Sequence, residues 1–423
     1  MHSRRALGGI LAVALALRVV WVLYSDFSPV YGDDAGWYEF IGRALSAGRG
    51  FVNLSGEATV FWPPGYPLFL AGIYKLFGGP DVKVALLFNA LLKGGTVLLV
   101  YAIGRRAFDE RTAVLGAALV ALFPSLIFLT GITLSETLFT FLMFLGVWLV
   151  IEADRRPNGL LFIPAGLVVG YAALTRGQAA LLPLAFIPFW GVFFHRWRPA
   201  LLRAVILGSL AALVVLPWAI RNYLESNSFV PISANAGFDF YIGNSEDASG
   251  HSRELSPVAT AYDNFPEAER EAKLGDDYFR QGREYMQSHP AREVILSVRK
   301  VFYLYYNDHE ALAWMEGHGE SQFMPRPLRI GLGWLSNTYY FASLCLAAVG
   351  ITGWLSVRNP LRLLLVSLAV YWTLAHMMFF GDARFHAPIM PVFCLWAAVG
   401  VWAVLARLAT QRTDLRPENV PGR

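Results

Sequence analysis

Residues 112–153 read TAVLGAALVALFPSLIFLTGITLSETLFTFLMFLGVWLVIEA, with no charged side chain other than Glu136 and Glu152. About 20 apolar residues span a bilayer core as a helix, and a charged side chain at a helix centre costs roughly 2.5–3.5 kcal/mol. The stretch therefore reads as two crossings, 112–129 and 136–153, joined by a polar turn at 130–135.

Working outward, the same rule finds apolar runs at 6–24, 84–104, 160–175, 179–194, 200–220, 331–355, 361–380 and 387–406, about ten helices in all. The fold class is an all-α polytopic membrane protein. Composition agrees: 56% of the residues are apolar and 16% charged, against about 45–50% and 25% in an ordinary soluble domain. That balance excludes a disordered chain and argues against a soluble enzyme. The net charge of +4 comes from basic residues scattered in twos and threes beside apolar runs, a pattern that suits a bilayer and not nucleic acid. Cys345 and Cys394 both lie inside apolar runs, which leaves no disulfide framework and no cysteine-rich metal site. The first helix follows Arg4 and Arg5 and is interrupted by Arg18, with no small-residue cleavage site after it, so it is expected to be retained.

Arginine gathers at alternate turns: Arg4 and Arg5, Arg105 and Arg106, Arg155 and Arg156, Arg196 and Arg198, Arg358 and Arg362, Arg407 and Arg412. Positive loops face the cytoplasm, so both termini are expected there. The remaining loops face outward. Four parts follow: a membrane core over 1–220 with a first outer loop at 25–83, an outer or interfacial segment at 221–330, C-terminal membrane helices at 331–410 and a cytoplasmic tail at 411–423.

The outer parts carry their own patterns. Trp37, Phe40, Ile41, Ala44 and Leu45 recur at spacings of three and four, which predicts an amphipathic helix over 34–47. A second helix is expected over 66–77, after Pro63-Pro64-Gly65. Within the long segment, Pro266 and His289-Pro290 bracket a solvated helix at 267–288, and the aromatic run 292–306 reads as interfacial.

Almost every unusual polar residue falls on the outer side. Asp33 and Asp34 open the first amphipathic helix, where an Asp either caps the helix or serves as a general base beside the bilayer. Glu136 opens the fourth crossing, Arg176 closes the fifth, Arg221 and Asn222 follow the seventh, and Arg384 precedes the last. A lone arginine there snorkels to headgroups. Several of them opposite an acidic pair, against the positive-inside trend, suit a phosphate-bearing lipid, because guanidinium matches phosphate oxygens in bidentate geometry. Lys93 and Arg18 lie within crossings, and an intramembrane cation is a functional candidate by default.

These residues resemble a family. Asp33-Asp34-Ala35-Gly36-Trp37-Tyr38 looks like the acidic first-loop motif of the glycosyltransferase C superfamily, in the branch of protein O-mannosyltransferases and lipid A aminoarabinose transferases. Phe61-Trp62-Pro63-Pro64-Gly65-Tyr66-Pro67, Leu174-Thr175-Arg176-Gly177, Arg221-Asn222-Tyr223, Gly243-Asn244 and Arg384-Phe385-His386-Ala387-Pro388 resemble its later landmarks in order. The resemblance implies a transferase that moves a sugar from a polyprenyl phosphate to a lipid, glycan or protein acceptor on the outer face of the plasma membrane. It maps the catalytic acids to Asp33 and Asp34, a supporting or cation-binding acid to Glu136, and a donor-phosphate contact to Arg384; Arg176, Arg221 and Lys93, read from their positions alone, are the further cations expected at that phosphate. Trp37, Trp62, Tyr66, Asn222 and His386 would line the substrates, and a divalent cation is the one cofactor to be considered. Trp62 stands where the aminoarabinose transferases carry a lysine, and His386 where an arginine is common.

The chemistry needs an anion clamp for the departing phosphate and a base for the acceptor hydroxyl. One base in a direct displacement inverts the anomeric carbon, which favours inversion led by Asp33. Two other readings compete: a transporter or flippase of a lipid-linked sugar, and an oligosaccharide polymerase or ligase. Transport sites gather near the midplane on broken helices, whereas these acids and cations gather at helix ends.

Overall fold

The structure is a computed structural model that describes residues 2–156, 159–255, 262–317, 319, 322–354 and 359–414. Arg358 and most of the expected tail, 415–423, lie outside the described residues. The chain is a multi-pass membrane protein, and among those residues every named element is helical. In chain order the helices are α1 (His2–Ser25), α2 (Asp34–Ser46), α3 (Gly65–Leu76), α4 (Val82–Ala107), α5 (Glu110–Leu122), α6 (Pro124–Phe128), α7 (Glu136–Asp154), α8 (Phe162–Thr175), α9 (Leu182–Ala185), α10 (Ile187–Phe194), α11 (Trp197–Ser226), α12 (Asn235–Gly243), α13 (Glu267–Ser288), α14 (Pro290–Tyr305), α15 (Glu310–Gly317), α16 (Arg326–Trp354), α17 (Pro360–Met378) and α18 (Met390–Asp414). A 3₁₀ turn, Ala383–Ile389, leads into α18.

Seven segments among the described residues are long and apolar enough to cross a membrane, and the bent pair Glu110–Leu122 and Pro124–Gly131 makes an eighth if it is one span. Seven or eight of the expected ten or so crossings are thus met by length and composition among the described residues. The run at 160–175 forms a helix of only 14 residues. The run at 331–355 lies, as far as residue 354, in the 29 residues of α16, whose polar stretch Ser336-Asn337-Thr338 lowers its hydropathy. Even so, α16 packs against α18 as tightly as two backbones allow. A Cβ on Gly350 would stand 2.1 Å from the Trp396 carbonyl oxygen, and one on Gly400 would stand 1.9 Å from that of Leu346. Small residues at such crossings are how helices associate where no hydrophobic difference from lipid drives them.

The break between α5 and α6 explains Arg18. Pro124 has no N–H, so the carbonyl of Val120, four residues back, loses its helical donor, and a helix end inside a membrane must find another. Arg18 is fully buried and supplies it, donating from Nη2 to the Val120 oxygen at 3.2 Å and from Nη1 to that of Ala121 at 2.8 Å. The bend there is 60°.

The helices read for the loops are present: α2 and α3 match 34–47 and 66–77 to within a residue at each end, α13 runs over Glu267–Ser288, and α14 over Pro290–Tyr305. They position the loop residues by a set of cross-ties. Thr133 Oγ1 donates to the Ala35 carbonyl at 3.1 Å, which fixes the first turn of α2 against the approach to α7. Tyr171 donates from its hydroxyl to the Gly65 carbonyl at 2.8 Å. A Cβ on Gly65 would meet the Thr175 nitrogen at 2.6 Å, so the Pro63-Pro64-Gly65 break lets α3 start directly on the end of α8, beside Arg176.

Candidate active site

The end of the bundle where α1 finishes and α7 begins collects charge. Asp33 caps α2, its Oδ1 accepting from the Gly36 nitrogen at 2.9 Å, as an acid before a helix does. Asp34, the next residue, reaches a different partner: its Oδ2 accepts from Arg384 Nη2 at 2.9 Å. Arg384 also lies 3.2 Å through Nε from Glu136 Oε1, and that same oxygen lies 2.9 Å from Arg176 Nη1. Four side chains from α2, α7, the end of α8 and the turn before α18 therefore meet in one charge-balanced cluster. Glu136 is 1% exposed and Arg384 5%, so the pairing substitutes for water that neither group retains.

Aromatic rings hold the guanidinium groups. The Trp314 ring centroid is 3.9 Å from the Arg384 guanidinium carbon, and Phe385 is shared, 5.0 Å from Arg384 and 4.7 Å from Arg176. Asp382 caps the turn by accepting from the Arg384 backbone nitrogen at 2.9 Å.

Two members of this neighbourhood were not read from the sequence. Asp239, on α12, faces Asp34, Arg176 and Arg384, and burial followed by the charge of Asp34 lifts its carboxyl from 3.8 to about 7. The signal for it is a lone acid between two aromatics, Phe238-Asp239-Phe240, just ahead of Gly243-Asn244. Tyr38 is the other. Burial, with Asp34 next, raises its phenol, and its ring lies edge-on to both Trp62 and Tyr66, at 5.6 and 5.7 Å.

The remaining sequence candidates lie apart from the cluster. Arg221 donates to the backbone carbonyls of Thr59 at 2.6 Å and Phe51 at 3.0 Å, so it braces the first loop. Asn222 donates to Val230 and Ile232 carbonyls at 3.0 and 3.1 Å and closes the turn after α11. His386 was expected to line substrate, but it is 1% exposed and both ring nitrogens are occupied. Nδ1 is 2.8 Å from the Leu304 carbonyl and Nε2 is 2.8 Å from Asp308 Oδ1. Lys93 is buried in α4 with Nζ 3.4 Å from Thr140 Oγ1, one helical turn along α7 from Glu136. Tyr66 is fully buried and accepts from Asn89 Nδ2 at 3.1 Å. Trp37 and Trp62 face each other, with centroids 6.2 Å apart and planes inclined by 29°.

A divalent cation fits Glu136 poorly, because two guanidinium groups already meet its carboxylate. Among the described residues no group of three or more His, Cys, Asp or Glu side chains is placed to hold a metal ion.

With this geometry in place, comparison with known proteins is informative. Residues 62–220 match the family model for dolichyl-phosphate-mannose-protein mannosyltransferase. The match covers somewhat over a third of the chain and is in keeping with the resemblance read from its motifs. Two curated relatives are undecaprenyl phosphate-α-4-amino-4-deoxy-L-arabinose arabinosyl transferases. The one from Pseudomonas paraeruginosa is 34% identical over 140 residues, which are 32% of this chain and 26% of the relative. The one from Pseudomonas fluorescens is 31% identical over 178 residues, 40% of this chain and 31% of the relative. The matches thus span about a third or less of those relatives' length. Among solved structures, the archaeal oligosaccharyltransferase AglB from Archaeoglobus fulgidus, in complex with an inhibitory peptide and a dolichol-phosphate, superposes with a TM-score of 0.60 at 14% identity, over all of this chain and 52% of that one. That likeness establishes a shared fold.

Proposed function

We propose that the protein is an integral membrane glycosyltransferase that moves a sugar from a polyprenyl-phosphate donor to an acceptor on the extracytoplasmic face, with inversion. The observation that carries the reading is the buried cluster of Asp34, Arg384, Glu136 and Arg176 beside the capped Asp33. Its two cations and two carboxylates balance in the empty state. A phosphate adds negative charge there, and the rigid, aromatic-backed guanidinium groups can turn to its oxygens with little reorganisation.

The step balances as follows. The acceptor hydroxyl gives its proton to the Asp33 carboxylate, and its oxygen bonds to the anomeric carbon. The bond from that carbon to the phosphate oxygen breaks, and the polyprenyl phosphate leaves with the electron pair, its charge met by Arg384 and Arg176. Asp33 is taken as the base because it matches the first acid of the loop motif that the sequence resembles, and its capping bond to Gly36 fixes the orientation of its carboxyl. Glu136 positions the two arginines.

The arginine distribution supports ten crossings with both termini cytoplasmic and the cluster outside, and cysteine labelling from each side of the membrane would test this. Replacing Asp33 by Asn is the test of the chemistry. Transfer of labelled sugar from undecaprenyl phosphate should fall by about 10²–10⁴ while donor binding persists, and unchanged turnover would overturn the base assignment. Of the two intramembrane cations that a transporter reading would draw on, Lys93 and Arg18, the latter is bound to helix-end carbonyls.

A further inference from the structure

A concavity of about 350 Å³ is lined by Trp37, Phe61 and Trp62 together with Asn53, Thr59, Glu267 and Glu271. Its volume lies at the small end of ligand pockets, which run about 300–1,000 Å³. Every lining residue comes from α2, the loop 53–62 or α13, and none from a helix that qualifies as a membrane span. Its rim, residues 54–57, is exposed. A lipid-anchored donor would arrive through the bilayer, whereas this opening is formed by segments that do not qualify as membrane spans.

The pocket is a built one. Glu271, 8% exposed, accepts from the Thr59 hydroxyl at 2.8 Å and from the Val60 nitrogen at 2.7 Å, which leaves lone pairs for a ligand. Arg221 holds the Thr59 carbonyl from α11, and the nitrogens of Ala234 and Asn235 hold the carbonyls of Val60 and Phe61 at 2.8 and 3.2 Å. The loop that presents Trp62 is therefore fixed from three helices. No cation lines the cavity, and its two carboxylates disfavour a phosphate. A flat aromatic wall facing carboxylate and amide hydrogen-bonding groups matches a ring with an apolar face and a rim of hydroxyls.

We infer that this pocket is the acceptor subsite and binds a glycosyl residue, its ring against Trp62 and Trp37 and its hydroxyls on Glu271 and Asn53. The inference rests on the proposed sugar transfer and deepens it by assigning a carbohydrate acceptor. Asp33 and Trp37 are joined by the first helical bond of α2, Trp37 nitrogen to Asp33 carbonyl at 3.0 Å, so a sugar on the tryptophans can present a hydroxyl towards Asp33 one helical turn away.

The test uses the full chain in lipid nanodiscs free of glycoside detergent. Saturation-transfer NMR is run with methyl glycosides of glucose, mannose, galactose, N-acetylglucosamine and arabinose, and with a Ser/Thr peptide. At least one glycoside should bind saturably, about tenfold more weakly in Trp62→Ala and still more weakly in the Trp37→Ala/Trp62→Ala pair, with part of the loss restored in Trp62→Phe. Glu271→Gln should weaken the same signal. Arg384→Ala should keep it while losing undecaprenyl phosphate. Glycoside signals indifferent to both tryptophans in variants that remain folded would overturn the subsite, as would a tryptophan-dependent signal from the peptide alone. Glycoside binding without any sugar transfer from an undecaprenyl-phosphate donor would instead overturn the transferase reading and leave the subsite standing.

Discussion

Two pairs of buried or half-buried arginines make the most instructive contrast in the molecule. Arg18 and Arg221 spend their donors on backbone carbonyls: one closes the broken end of α5, the other clamps the loop at Phe51 and Thr59. Arg176 and Arg384 face carboxylates, converging on a single oxygen of Glu136. A carbonyl is a neutral partner that has no alternative once the helix or loop is formed, so on this account the first pair holds the fold together. A carboxylate is an anion that competes with phosphate for the same fork of donors, so the second pair can exchange partners when a ligand arrives. What a guanidinium does in this chain is decided by what it is paired with.

The contrast can be broken in order of effect. Arg384→Ala should lower sugar transfer by about 10²–10³, the usual cost of losing a donor aimed at developing negative charge, as measured in initial rates with labelled donor. Arg18→Met should take a donor from each of two helix-end carbonyls, that of Val120 keeping only a 3.4 Å bond from the Phe123 nitrogen, at a total cost of about 1–3 kcal/mol. The readout is a lower Tm with an unchanged affinity for undecaprenyl phosphate, and a loss of that affinity would merge the two classes. Glu271 sharpens the loop side. Burial lifts its carboxyl from 4.5 to about 7, so the folded chain holds the proton more tightly than the unfolded one. Its contribution to stability is therefore present below about 4.5 and lost as pH rises through about 7. Glu271→Gln should flatten the slope of Tm against pH in that window. The smallest effect is expected from Arg221→Lys, which retains one of the two carbonyl contacts and should reduce transfer only modestly.

These pairings mark the limit of what sequence could give. Apolar runs made the membrane class and most helices legible, because hydropathy and charge cost act locally. Length did not settle the count: 160–175 folds as 14 helical residues and α16 carries a polar stretch at 336–338. For the candidate site, Asp34, Glu136, Arg176 and Arg384 stood out as charges at helix ends and do come together. Arg221, Asn222 and His386 stood out in the same way, and their bonds go to backbone carbonyls and to Asp308 instead. Nothing local distinguishes the two sets, since the partner of Arg384 is 350 positions away. Asp239 was missed for the opposite reason. It lies in a short loop helix, with neither a neighbouring charge nor a span boundary to draw notice.

The most direct test is equilibrium binding of undecaprenyl phosphate to the wild-type chain, Arg384→Ala and Arg221→Ala in nanodiscs. The account predicts that Arg384→Ala weakens binding by about tenfold or more, roughly 1.4 kcal/mol, while Arg221→Ala stays within about twofold of wild type. Equal losses in both variants, or a loss only in Arg221→Ala, would contradict it.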